Sequence, residues 1–269
     1  MTRVNPNVDF EAGLLEGALE IAGDAYPALD RELQRRRFDE LAEPLLRQDV
    51  AALNAPAQAL ALAAHLRYDC GFRGNETDYY CPENSFINRV LDTRLGIPIS
   101  LAVVYIEVAS RAGVRACGVG FPGHFLVRIE DEVDVVLVDP FSSKALARAD
   151  LEGLLASATA GKLQLHESML EPTPTRHVIA RMLFNLRNIY ARQADHQRLL
   201  ITLDRLVDVL PEALEHRRDR GLLCAELGAI AAARVDLSLY LRELPHAPDA
   251  AEISRLLAEL PPPSPALLN

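Results

Sequence analysis

The sequence predicts an α+β protein, mainly helical, with one small antiparallel sheet and a C-terminal array of helical repeats. Three observations carry that prediction. Ile99 to Ala112 reads as a helix that is apolar on nearly every side. Short strand patterns follow it, with His124 at the start of one and Asp139 at the end of the next. Residues 176–260 then return to helical periodicity and contain an internal repeat.

Composition narrows the function classes. A chain of 269 residues has room for one large domain or two modest ones. With 49% apolar and 25% charged residues it reads as a soluble globular protein. A net charge of −10 argues against nucleic acid and against anionic membrane, because both need clustered Lys and Arg. The one basic cluster, Arg35, Arg36 and Arg37, reads as a solvated helix face. MTRVNPNVDFEAG shows no signal-peptide pattern, and no apolar run approaches the ~18–20 residues of a bilayer span. Cys70, Cys81, Cys117 and Cys224 are scattered, with neither a CxxC pair nor metal-like spacing. A cytoplasmic protein with no cofactor and no metal is expected.

The elements follow in order. Phe10, Leu14, Leu15, Ala18, Leu19 and Ile21 form a first helical stripe, with Asp9 as its N-cap. Helices are expected over Leu29–Leu46 and Ala57–Arg67, then a Gly/Asn/Asp-rich loop from Gly71 to Pro82. A short helix from Glu83 to Leu95 should stop at Gly96 as its C′ residue, with Pro98 opening the next helix. Strands are expected at 116–120, 124–129 and 133–138, after which strand patterning stops. Helical patterns resume at 150–156 and, beyond Pro172 and Pro174, through residue 260.

Within that last stretch, ARQADHQRLLITLDRLVDVLP (191–211) and AELGAIAAARVDLSLYLRELP (225–245) superimpose at an offset of 34 residues. Leu203 falls on Leu237, Leu210 on Leu244 and Pro211 on Pro245. This is the tetratricopeptide period, one helix pair per repeat. Turns are expected near Asp195, Pro211, Gly228 and Pro245, and Ile179, Met182, Leu183, Leu186, Ile189 and Tyr190 should line one helix face. So few repeats cannot bury their ends alone, so at least one helix is expected to pack on the preceding domain. The expected organisation is a core at 1–171, repeats at 172–260 and a disordered tail at 261–269.

The chemistry turns on hairpin register. A two-residue turn at Asp131-Glu132 pairs Glu130 with Val133 and sets His124 directly opposite Asp139, within hydrogen-bond reach. Because Asp-Glu is not a preferred two-residue turn, a four-residue loop in the same register is an equal alternative. A one-residue shift puts them on opposite faces. An Asp that orients a His is half of a nucleophilic site; alternatively, His124 starts a strand after a turn and Asp139-Pro140 opens another. Asn84, Asn88 and Arg94 form a polar set on the short preceding helix, where Asn84 and Asn88 share a face. They either line a cleft beside His124 or hold the turn that starts the next helix.

The strings GFRGNETDYYCPENSF, NRVLDTRLGIPISLAVVY, GVGFPGHFLVR and VDPF, followed by the tetratricopeptide-like tail, resemble the SirB-type family of bacterial transglutaminase-like proteins. The resemblance spans roughly residues 10–258. It implies a transglutaminase-like (papain-like) core with C-terminal helical repeats, and it implies that His124 and Asp139 occupy the superfamily's catalytic His and Asp positions. It brings no settled substrate.

Active members of the superfamily carry a cysteine at the start of the buried helix, where the helix N-terminus favours a thiolate. Here that position holds Pro98, Ile99 and Ser100. Ser100 is the nearest hydroxyl, and it is either a His-assisted nucleophile or a first-turn capping residue. Cys81 in the loop and Cys117 on a strand are the alternative nucleophiles. Two functions therefore stand: a protein- or peptide-binding regulatory descendant that has lost catalysis, or an acyl-transfer or amide-hydrolysing enzyme built on Ser100 or a loop cysteine with His124 and Asp139. The oligomeric state stays open.

Overall fold

The computed structural model describes residues 13–261, which divide into two compact units between Asn185 and Leu186. Asp9, Phe10 and the tail from residue 262 lie outside the described residues.

The first unit opens with α1 (Leu14–Ala25) and α2 (Arg31–Arg47), the latter capped by Asp30, which accepts the Leu33 N–H at 2.9 Å. The expected basic cluster is a set of struts. Arg35 grips Glu16 of α1 through two hydrogen bonds of 2.8 and 2.7 Å, and Arg37 reaches Asp92 at 2.8 Å. Next comes α3 (Ala55–Ala64), capped by Asn54 and continued by one π-type turn, His65–Asp69.

Two departures from expectation follow. The loop after Gly71 contains a short strand, β1 (Arg73–Gly74), which pairs in parallel with β2 (Leu95–Gly96). Instead of one helix over Glu83–Leu95 there is a 3₁₀ turn at Pro82–Ser85, an extended Phe86 and then α4 (Ile87–Thr93). Arg94, with φ 61°, ends α4, and Gly96 is not its cap. Gly96 serves close packing: a Cβ there would lie 2.8 Å from Ser100 Oγ and 3.0 Å from Leu101.

The buried helix forms as expected. In α5 (Pro98–Arg111), ten of fourteen residues are buried. The charge that interrupts it is put to use: Glu107 accepts the Leu15 N–H at the start of α1 at 3.1 Å and pairs with Arg111 at 2.6 Å.

Beside α5 lies a four-stranded antiparallel meander: β3 (Ala116–Val119), β4 (Leu126–Glu130), β5 (Val135–Asp139) and β6 (Lys144–Leu146). Strand β6 has no counterpart in the sequence prediction, because KAL is too short to show alternation. Val119, Leu126 and Leu137 pack on Leu151 and Leu155 of α6 (Arg148–Thr159). The free edge of β3 is covered by the proline-flanked linker, where the Thr173 N–H donates to Gly118 O and Thr173 Oγ1 accepts the Gly120 N–H, both at 2.8 Å.

The helices that follow are α7 (Thr175–Gln193), α8 (His196–Val209), α9 (Leu214–Glu226), α10 (Ile230–Glu243) and α11 (Ala250–Glu259). Turns fall where the sequence places them, and all six residues of the expected α7 stripe are buried. The repeat is literal at the backbone: Leu210 and Leu244, each closing a 14-residue helix, share φ −127° with ψ 67° and 62°.

Candidate functional site

The site region is assembled from the start of α5, the turn before β4, the end of β5 and the loop at 71–86. Asn75 N–H donates to Gly96 O at 2.9 Å and Gly74 N–H to Phe141 O at 3.1 Å, so the loop is stitched both to β2, just before α5, and to the turn after Asp139. Tyr79 tilts against Phe141 with ring centroids 6.2 Å apart.

Ser100 is fully buried and its hydroxyl is engaged. It accepts the Ile97 N–H at 3.1 Å and lies 2.5 Å from the Asn84 carbonyl, which accepts its proton. This is a helix-start cap that also pins the loop, which explains why a serine stands at this point. Asn84, buried on the 3₁₀ turn, accepts from Asn75 Nδ2 at 3.0 Å and donates to Asp78 O at 2.6 Å. The extended Phe86 separates it from Asn88 on α4, so the two asparagines do not share a helix face. Asn88 Oδ1 and Arg94 Nη1 are buried without hydrogen-bond partners, and the Arg94 guanidinium stacks on Phe72 at 4.6 Å. Burial holds the Arg94 guanidinium below its usual basicity.

His124 follows Gly123, whose φ of 72° makes the turn, and its N–H donates to Phe121 O at 3.0 Å. Its ring Nδ1 is buried with no hydrogen-bond partner. Asp139 is buried, and its carboxylate accepts the Phe141 N–H at 2.9 Å and the Ser142 hydroxyl at 2.6 Å. The expected His124–Asp139 hydrogen bond is therefore absent. The reason is register: Val127 pairs with Val138 and Glu130 with Val135, two positions away from the expected pairing. Continued to the strand ends, this places Leu126 across from Asp139. The face is as expected and the partner is not.

The cysteines do not complete the site either. Cys81 sits half-buried before the 3₁₀ turn, accepting the Asn84 N–H on its carbonyl at 3.1 Å. Cys117 pairs with Arg128 across β3–β4, and burial pushes its thiol up.

One participant was missed by sequence reasoning. Arg181 of α7 donates to the carbonyl of His124 at 2.8 Å, and its guanidinium lies 5.5 Å from the Phe125 ring centre. Its basicity is reduced by burial, partly offset by Tyr79. Arg181 lies outside the expected α7 stripe, on the helix side it shares with His177 and Phe184, so the apolar periodicity carried no signal for it. Beside it, Gly120, Phe125, Met169, Pro172, His177 and Phe184 help to line a cavity of about 630 Å³.

No helix among the described residues is long and apolar enough to cross a membrane. The profile of the transglutaminase-like superfamily matches residues 32–184, and that of the tetratricopeptide repeat matches residues 186–258. A UPF0162 protein of Xylella fastidiosa (strain 9a5c) is 37% identical over 237 residues, covering 86% of this chain and 84% of the relative. The UPF0162 protein of Pseudomonas aeruginosa is 29% identical over 259 residues (95% and 94%), and UPF0162 protein YchA of Escherichia coli K12 is 28% identical over 247 residues (89% and 91%). No solved structure gives a significant match. With its superfamily profile over more than half its length and UPF0162 relatives along nearly all of it, this chain is a bacterial-type UPF0162 protein of the transglutaminase-like superfamily, carrying C-terminal tetratricopeptide repeats.

Proposed function

We propose that this chain is a non-catalytic transglutaminase-like protein of the cytoplasm that binds a protein or peptide partner. One observation carries the reading: the hydroxyl at the superfamily's nucleophile position is buried and spent on capping α5 and holding Asn84. A nucleophile needs a free lone pair, a base within reach and room for an acyl group. The Ser100 hydroxyl is bonded to backbone groups of Ile97 and Asn84, and the buried Nδ1 of His124 meets neither Ser100 nor Asp139. The cavity beside Arg181 joins apolar walls (Phe125, Met169, Phe184) to a cation and suits an extended segment with apolar side chains and an acidic or carbonyl group. Tetratricopeptide repeats offer a second protein-binding surface of their own.

A second reading rests on the His124 Nδ1 left without a partner, a group that a substrate-induced shift would bring to Asp139. Under it, Ser100 or Cys81 acts with His124 and Asp139 in acyl transfer. One experiment separates the two. The full chain is exposed to a fluorophosphonate and to an acyl-donor amide, and in parallel is titrated against a displayed peptide library. Selective peptide binding weakened by Arg181→Ala, with no Ser100 or Cys81 adduct, supports the binding reading. An adduct that disappears in His124→Ala supports the enzyme.

A further inference from the structure

Cys70, His65 and Asp69 meet at the end of α3, beside Arg94 and the start of the loop at 71–86. The π-type turn that ends α3 is closed by the Cys70 N–H donating to His65 O at 3.0 Å. A π-type turn brings residues five apart over one another, and such turns recur at functional positions. Here it gathers two side chains, those of Cys70 and Asp69, around the His65 imidazole. His65 Nε2 lies 2.8 Å from the Leu41 carbonyl of α2 and 3.4 Å from Cys70 Sγ, while Nδ1 lies 3.1 Å from Asp69 Oδ2.

A carbonyl and a carboxylate can only accept. With one on each side, both ring nitrogens carry protons, and the ring is an imidazolium. Its side chain is 8% exposed, so the charge is held in place and not averaged by solvent. His65 is pushed up to about 9, chiefly by its hydrogen bond to Cys70, against burial, with the Leu41 carbonyl and Asp69 adding to the effect. The charged groups facing this cluster are Asp69 on its own turn and Arg94 at the end of α4, which Arg37 and Asp92 act on in turn. Cys70 itself is half-buried.

We propose that Cys70 is a reactive thiol and a site of S-thiolation, held against the His65 imidazolium and open to small-molecule disulfides. The sulfur of Cys70 attacks one sulfur of the disulfide. A new S–S bond forms, the old one breaks, and its electron pair leaves on the second sulfur, which takes up the proton that Cys70 gave up. Cys70 is oxidised to a mixed disulfide, and half of the reagent is reduced to a thiol. The remaining cysteines lack this setting: burial pushes the thiols of Cys117 and Cys224 up, and Cys81 has no histidine hydrogen-bonded to it.

The test is reaction of the full chain with glutathione disulfide at pH 7, followed by intact mass and peptide mapping. A single adduct on Cys70 is expected, forming at least tenfold faster than on Cys81, Cys117 or Cys224 and absent in Cys70→Ser. His65→Gln should slow it at least fivefold while circular dichroism stays native. Because His65 is buried, Asp69→Asn on the exposed carboxylate provides the second arm, expected two- to threefold slower. Even labelling of the four cysteines, first labelling at Cys81, or parent-like rates in folded His65→Gln or in Asp69→Asn would overturn the proposal.

Discussion

The Asp131 carboxylate accepts the N–H of Ala55 at 2.6 Å, so a hairpin loop caps a helix that lies 76 residues earlier in the chain. Its other oxygen accepts the N–H groups of Val133 and Asp134, each at 2.7 Å. An aspartate that gathers three donors holds its loop open over residues 131–134 and excludes the two-residue turn. The β4–β5 register follows from that, and with it the separation of His124 from Asp139.

Replacing Asp131 with Ala should therefore lower the melting temperature by a few degrees at neutral pH. The three N–H donors hold this carboxyl below the usual carboxylate range. A depressed pKa contributes stability that is complete above the unfolded value and is lost as pH falls through the folded one. The deficit of Asp131→Ala against the parent should thus be full at pH 7 and shrink below about pH 4, measured by thermal melts across that range. A deficit that stays constant into acid would mean the carboxylate charge is not what holds the loop.

What the sequence makes legible is what local periodicity controls. The buried α5, the α7 stripe, the 34-residue repeat and the order of helix, His124 and Asp139 all follow from spacing along the chain. Register does not, because the group that sets it finds its partner at Ala55. The β1–β2 pair is two residues on each side and leaves no alternation to read. Ser100 shows the same limit: a serine near a helix start reads equally as cap or nucleophile until the Asn84 carbonyl is seen against it.

Ser100→Ala should cost about 1–3 kcal/mol, since it leaves the buried Ile97 N–H and the Asn84 carbonyl each short of a partner. Urea denaturation gives this directly, as a lower midpoint at unchanged slope. A neutral substitution would show that the hydroxyl is not a structural tie and would return it to the candidates for chemistry.

Gly74→Ala should destabilise by about 1–3 kcal/mol through overpacking. A Cβ at Gly74 would sit 2.4 Å from the Phe141 ring, the residue just beyond the Asp139 turn. If that clash is the cause, Phe141→Ala should recover part of the loss when combined with it, giving a coupling of about 1 kcal/mol in a double-mutant cycle. Strict additivity would place the strain elsewhere in the loop.

The repeat unit hides a charge pair whose removal should be felt most strongly of all. Asp236 of α10 is 2% exposed and takes Arg220 of α9 in a two-pronged grip, Nε at 2.6 Å and Nη2 at 2.7 Å, with Arg217 3.5 Å away. Arg220 also holds Asp204 of α8 at 2.8 Å, so one guanidinium ties three successive helices. Asp236→Ala leaves that cation with Asp204 alone and should cost about 3–5 kcal/mol, the range for an ion left behind in a buried site. The combined Arg220→Met, Asp236→Leu change removes both charges and keeps the volume, so it should recover most of that loss. Guanidinium denaturation of the full chain, followed by circular dichroism in its helical band, measures both variants. If the double variant is as weak as the single, the pair's value lies in its geometry across α8, α9 and α10, beyond the neutralisation of a buried charge.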